Sequence, residues 1–483
     1  MNGKKIFKNY IYNMLYQFFI IITPLITTPY VSKVFGAEKI GIYSYTLSVA
    51  TYFMVVGSLG FPLYGQREIA IVSENKRKRS SLFFQIILAQ LILILIVILI
   101  YLFFVFNIVE ENRQIYLIQT VGLFGASFAT SWFYMGIEKF EVSIGKNIFV
   151  KIFSIVTIFL FVKSSNDLYK YTFIIGFANV LGNLIILIDI KKYVSFSKKE
   201  ITLKKIICHL KPAFILGIPY YITVFYTIID RIMLGFLGSG YQELGYYEQA
   251  QKILTLAIAI ITTISTVLLP VLSNKIEKKN YQEVQSILLL GVNIVLILGF
   301  PIVVGLVVIG DMLVPWFFGK EFIKVGLLIK IFAPLPLFVG ITDLIANKYL
   351  IANKKEKNLI YIILISVLAN IILNLSLIPK FNSLGAAYAT ILAEFIKLII
   401  TIIYVKDYFF NILFLKNLVN ESIKYMFSSI VMFIILILAK YKLKLEFTFI
   451  NTLLIICLGM IIYIICLIKI KSKYIYYLKK LIL

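Results

Sequence analysis

Histidine occurs once in this chain and cysteine three times, among 483 residues. Cys208, Cys457 and Cys466 have neither a CxxC nor any other metal or redox spacing, and they read as packing residues in or beside apolar runs. His209 stands in a basic tract, reads as an interfacial residue, and offers neither a metal site nor a catalytic pair. No glycine-rich phosphate loop and no G-x-S-x-G is present, which argues against an ATPase or a hydrolase. Arginine is scarce, five residues against forty-three lysines, so each arginine inside an apolar run carries weight. A long hydrophilic segment is also missing. The longest between apolar runs, Lys191–Lys211, is too short for a soluble catalytic domain.

What is there is hydrocarbon. Hydrophobic residues make up 61% of the chain, where soluble domains hold about 45–50%, and the mean hydropathy is +0.95. Apolar runs of about 20 residues recur from end to end, each long enough to cross roughly 30 Å of bilayer. They lie near 10–31, 40–63, 82–107, 115–137, 144–163, 169–190, 210–236, 249–272, 287–310, 324–350, 358–379, 383–405, 423–440 and 447–469. A barrel would show alternation instead of continuous runs, so an all-α polytopic membrane protein of about fourteen helices is expected. The start, MNGKKIFKNYIYN, has the basic flank of a signal sequence. The run after it contains Pro24 and Pro29 with no small-residue cleavage site, so it reads as a retained first span.

The net charge of +25 would suit a nucleic-acid partner, but its distribution argues against one. Lysines and arginines concentrate in alternate loops, notably NKRKR at 75–79, the tract 191–211 and KIKSKYIYYLKK near the C-terminus. That pattern marks cytoplasmic segments, puts both termini on the cytoplasmic side, and favours contact with anionic membrane lipids.

The chain repeats itself. VFGAEKIGIYSY at 34–45 is echoed by FLGSGYQELGYYEQ at 236–249, aligned on Gly36 and Gly238 with two extra residues before the second glycine. FPLYGQR at 61–67 is echoed by LPVLSNK at 269–275. An even number of spans per half makes these parallel repeats, with a path expected between the halves. The expected organisation is a six-helix bundle over 1–195, a basic linker over 196–211, a second bundle over 212–406, and two further helices with a basic tail over 407–483.

Charges inside the spans are the candidates for chemistry, since each costs roughly 2.5–3.5 kcal/mol at membrane depth on insertion scales. Asp230 and Arg231 come first. The arginine fork suits bidentate phosphate binding with Asp230 balancing it, and the rival reading is a structural ion pair near the helix end. Lys330 and Asp343 are too far apart to pair on one helix, so each needs the cavity or a neighbouring helix. Lys348 reads as an interfacial anchor. Glu394 and Lys397, three apart, could satisfy each other, or Glu394 could take a proton or sodium. Lys151 and Lys252 sit near span ends and read as snorkelling residues. The aromatics, 15% of the chain, read mostly as lipid-facing packing and interface belts, with Tyr220 and Tyr221 able to stack on sugar rings.

Several stretches carry a resemblance: TPYVSKVFGAEKIGIYSY at 28–45, YGQREIA at 64–70, WFYMGIEKF at 132–140, DRIMLG at 230–235, GYYEQAQKI at 245–253 and SLGAAYATILAE at 383–394. In these the chain resembles the Wzx-type flippases of the multidrug/oligosaccharidyl-lipid/polysaccharide exporter superfamily. The resemblance implies two MATE-like six-helix bundles around a central cavity. It also implies flipping of an undecaprenyl-diphosphate-linked oligosaccharide between leaflets, by alternating access. It places Arg67, Glu138 and Arg231 in family motifs. One departure is Met135, where the motif after WFY usually has Gln, so any sugar contact by that Gln is absent. Arg231, Lys330, Arg67 and Lys397 are therefore expected as cavity cations, with Asp230, Asp343, Glu394 and Glu138 as coupling or charge-balancing carboxylates. No cofactor or metal is expected. A sodium or proton gradient would drive the cycle, and polysaccharide polymerase and glycosyltransferases would be its partners. The rival functions are a cation-coupled drug exporter and a membrane glycan polymerase or glycosyltransferase. The second would need a large outer loop or an interfacial carboxylate cluster, and the sequence has neither.

Overall fold

The computed structural model describes residues 3–195, 201–409, 412–442 and 446–474. Part of the expected linker, 196–200, and the end of the basic tail, 475–483, lie outside the described residues. The described residues are almost wholly helical, as continuous apolar runs in hydrocarbon require. Contacts divide the chain into two units, Met1–Ile232 and Met233–Leu483.

The first unit holds α1 (Gly3–Ser58), α2 (Phe61–Ile71), α3 (Lys76–Asn107), α4 (Arg113–Ser127), α5 (Ser131–Gly136), α6 (Phe140–Phe161), α7 (Leu168–Ile190), the short α8 (Leu203–Ile207) and the start of α9 (Leu210–Leu237). At about 1.5 Å per residue, α1 is far longer than one bilayer crossing. Gly36 (φ 69°, ψ 176°) divides it in two, in a backbone region that side-chain-bearing residues essentially avoid. A second break falls at Gly60 (φ 70°), just before Phe61 and Pro62 open α2.

Gly60 also meets α9. A methyl group added there would lie 2.2 Å from the Ala213 carbonyl oxygen, and the Gly217 Cα would be 2.8 Å away. Gly60→Ala therefore combines a backbone clash with an unfavourable φ and should cost roughly 3 kcal/mol or more. The check is the thermal unfolding midpoint of the purified protein in detergent. An unchanged midpoint would mean that this close approach is dispensable.

The second unit continues with α10 (Tyr241–Glu277), α11 (Tyr281–Phe317), α12 (Ile323–Phe332), α13 (Leu335–Thr342), a π-helical segment (Asp343–Leu350), α14 (Glu356–Phe381), α15 (Ser383–Phe409), α16 (Ile412–Lys442) and α17 (Phe449–Lys469). The last two helices share one core with α11. Tyr425, Met432, Leu436, Ile455 and Tyr463 cluster with Val292, Leu296 and Met312. Tyr425 donates to Asn293 Oδ1 at 3.0 Å, and the Trp316 indole N–H donates to Thr452 Oγ1 at 2.9 Å.

By length and composition, eleven helices among the described residues could cross a membrane, or twelve if α12 and its continuation, bent by 44°, form one span. This differs from the expected fourteen for two visible reasons. The Gly36 break lies inside a single counted stretch, and α4 has only 15 residues before its run breaks at 128–130.

The repeat shows in the backbone. Gly240 (φ 149°, ψ 168°) separates α9 from α10 in the same glycine-only region that Gly36 occupies. Its partner is thus Gly240 rather than Gly238. Aligned this way, GAEKIGIYSY and GYQELGYYEQ match without the two extra residues. Each unit also breaks its fourth span: the first between α4 and α5, the second at Ala333–Pro334.

Candidate functional site

In α9, Asp230 is buried, with 7% of its surface exposed, and Arg231 is half-buried. Both side chains are engaged. About one and a half turns earlier, the Tyr52 hydroxyl donates to the Phe225 carbonyl at 3.3 Å, and the two rings meet edge to face at 4.8 Å. α1 therefore packs on α9 just ahead of the charged pair Asp230–Arg231. Of the aromatic pair below it, Tyr220 is exposed and Tyr221 is buried.

The cations of the second unit pair locally. Lys330 on α12 donates to Asp311 Oδ2 on α11 at 2.5 Å, with Lys440 at 3.9 Å from the same oxygen. Asp311 was missed because it lies one residue beyond the apolar run 287–310. Asp343, buried, accepts from Ser265 Oγ, from Asn347 Nδ2 at 2.8 Å, and has Lys348 Nζ 3.7 Å away. The expected interfacial anchor, Lys348, is thus an inward, paired residue, its side chain only 17% exposed. Lys397 donates to both oxygens of Glu394, at 3.2 and 3.3 Å, the self-satisfied arrangement read from their spacing. Two more pairs were not foreseen: Lys324 on Glu243, 2.7 Å to each oxygen, and Lys424 on Glu421 at 2.6 Å.

In the first unit the break at 128–130 exposes carbonyl groups at the end of α4, which must be satisfied inside an apolar bundle. Gln90 Nε2 donates to Ala126 O at 2.9 Å and to Ser127 O and Ala129 O at 3.3 Å, and Asn183 Nδ2 donates to Gly125 O at 2.9 Å. Lys146 Nζ completes the cap, donating to Asn183 Oδ1 at 3.1 Å and Ser131 Oγ at 3.2 Å. A cation at a helix C-terminus is favoured by the macrodipole. Sequence reasoning passed over Lys146; the hydroxyls of Ser127, Thr130 and Ser131 interrupting the apolar run, with no proline among them, were the available signal. Beyond the break, Trp132, Phe133 and Tyr134 are fully buried core rather than belt residues, and the Tyr134 hydroxyl donates to Ile186 O at 2.8 Å. Glu138 follows them, exposed, at a positive φ of 58°.

His209 is buried, not interfacial. Gln85 Nε2 donates to Ser81 Oγ at 2.9 Å, which leaves Gln85 Oε1 to accept from His209 Nε2 at 3.1 Å. In the neutral ring Nδ1 then accepts the Tyr64 hydroxyl at 2.7 Å, tying α2 and α3 to the start of α9. Arg67, near the end of α2, is exposed and donates to Glu68 Oε1 from Nε (3.0 Å) and Nη2 (2.7 Å).

The profile described as "Polysaccharide biosynthesis protein" matches residues 6–276, and the MatE profile matches 216–375. A Shigella dysenteriae protein described as an O-antigen transporter is 24% identical over 377 residues, covering 77% of this chain and 92% of that one. An Escherichia coli K12 protein with the same description is 22% identical, covering 83% and 96%. Among solved structures, the lipid II flippase MurJ in an inward closed conformation superposes with a TM-score of 0.75 at 19% identity, covering 99% of this chain and all of that one. An inward-facing multidrug MATE transporter gives 0.62 at 14% identity, covering 80% and 94%. These two likenesses establish the MurJ- and MATE-like fold.

Proposed function

Because the chain belongs to the polysaccharide biosynthesis protein family, we propose that it is a membrane flippase, not an enzyme, that moves a lipid-linked oligosaccharide between leaflets. The observation that carries this reading is likeness over most of the chain's length to transporters of a surface glycan. The chemistry agrees. Glycan hydroxyls and a diphosphate cannot cross hydrocarbon bare, since each unpaired polar group would cost several kcal/mol. A hydrated path lowers that barrier while a prenyl tail stays in lipid.

We take undecaprenyl diphosphate as the carrier and the cytoplasmic membrane as the location, with the basic loops and both termini inside. Lys330 and Lys397 each rest on a carboxylate, so we assign them to structure. Arg231, a guanidinium inside the apolar run of α9 with a fork suited to paired phosphate oxygens, is the cation we assign to the diphosphate. Asp343 and Glu394 hold lysines, and Asp230, buried within the apolar run of α9, is the carboxylate we carry forward for coupling to a sodium or proton gradient. The cycle proceeds by alternating access, and glycosyltransferases and a polymerase act before and after it. The MatE match over 216–375 is the one observation favouring drug export, and it covers less of the chain than the glycan-transporter relatives do.

The test is reconstitution. Purified protein in liposomes should move a fluorescent undecaprenyl-diphosphate oligosaccharide to the opposite leaflet, scored by quencher accessibility, while protein-free liposomes do not. Extrusion of cationic dyes without lipid flipping would replace this reading with the exporter.

A further inference from the structure

Two basic segments, far apart in sequence, meet in the first unit. Arg67 near the end of α2 and Lys211 in the first turn of α9 line one cavity of about 320 Å³, whose remaining wall is Pro212, Ile215 and Leu216. The frame of this cavity is fixed on three sides. Gly60 and Gly217 bring the two helices into backbone contact, the Tyr64–His209–Gln85 hydrogen bonds lock their ends, and the Arg67 guanidinium lies 5.7 Å from the Tyr64 ring centroid. Both cations remain at the surface, and beside them Leu63, Phe214 and Ile215 are exposed apolar residues. One wall therefore presents charge and the next presents hydrocarbon.

We propose that this cavity binds the phosphate of an anionic phospholipid headgroup on the membrane face that carries the basic loops, its acyl chains lying along the exposed side of α9. The size fits a headgroup and not an oligosaccharide, being near the low end, about 300 Å³, of ligand pockets. The charge fits as well. Arg67 and Lys211 supply two positive charges and Glu68, already bonded to Arg67, removes one, leaving a single positive charge for a single phosphodiester. Basic recesses between membrane helices are suited to such headgroups. This site lies outside the transport reading, which assigns the carrier diphosphate to Arg231.

The experiment uses the full-length protein in detergent, with lipid retention followed by native mass spectrometry and thermal unfolding. Phosphatidylglycerol should bind and raise the unfolding midpoint, and phosphatidylcholine should not. Each cation removed, in Arg67→Ala and Lys211→Ala, should weaken phosphatidylglycerol by roughly fivefold, about 1 kcal/mol. Glu68→Gln should tighten it by a similar factor, and Lys205→Ala, in the basic tract but outside the cavity, should leave it unchanged. If Arg67→Ala fails to fold, Lys211→Glu, which keeps Arg67, must still lower the affinity. The proposal is overturned if these variants bind phosphatidylglycerol as wild type does or if phosphatidylcholine binds equally. It is equally overturned if undecaprenyl diphosphate, and not phosphatidylglycerol, is the lipid lost with the two cations.

Discussion

Arg231→Ala should abolish transport while the protein still inserts and accumulates at its normal level. A guanidinium offers a planar fork that binds phosphate oxygens in pairs, which an ammonium cannot reproduce. Losing one member of a desolvated, hydrogen-bonded charge pair costs about 2 kcal/mol or more, at least roughly thirtyfold in binding. Arg231→Lys should therefore recover only part of the activity. In cells, the alanine variant should lose the surface glycan and build up the lipid-linked intermediate. Normal glycan from a variant present at wild-type abundance would remove Arg231 from the mechanism.

The second large effect is expected on stability, at the π-helical turn. Asp343 receives hydrogen bonds from Ser265 and Asn347 and faces Lys348. Asp343→Ala strands that lysine among buried neighbours, at a cost of roughly 3–5 kcal/mol. Asp343→Ala combined with Lys348→Met removes both charges and should restore most of the loss, because an apolar replacement of a buried pair is often neutral. Unfolding midpoints of the single and double variants decide the matter. A harmless single substitution would mean that the Lys348 ammonium reaches water unaided.

Why the sequence exposed some of these features and hid others has physical causes. Continuous apolar runs leave helices as the sole option, so class and approximate span positions follow from composition. The repeat around Gly36 was visible in the sequence, but its counterpart was read as Gly238, and only the dihedral angles show that Gly240 takes that place. Pro334 announced the break of one fourth span. The break at 128–130 has no proline and is held by Gln90, Asn183 and Lys146 from three other helices, which no local pattern reveals. Lys348 was misplaced for a geometric reason. Five residues of regular α-helix put it about 140° around from Asp343, whereas a π-turn stacks positions i and i+5. Asp311 was hidden by a window edge, and His209 by its basic neighbours. For the break at 128–130, Asp311 and His209 the missing information was a partner elsewhere in the chain, and for Lys348 it was the local π-helical backbone.

The lysine pairs of the second unit have a bearing on biogenesis. In Asp343–Lys348, Glu394–Lys397 and Glu421–Lys424 the acid and its base stand within five residues of each other on one helical segment. Each of these three carboxylates is synthesised with its lysine inside the same hydrophobic segment. A nascent segment can thus partition out of the translocon already neutralised, instead of waiting in the lipid for a distant counter-ion to be synthesised.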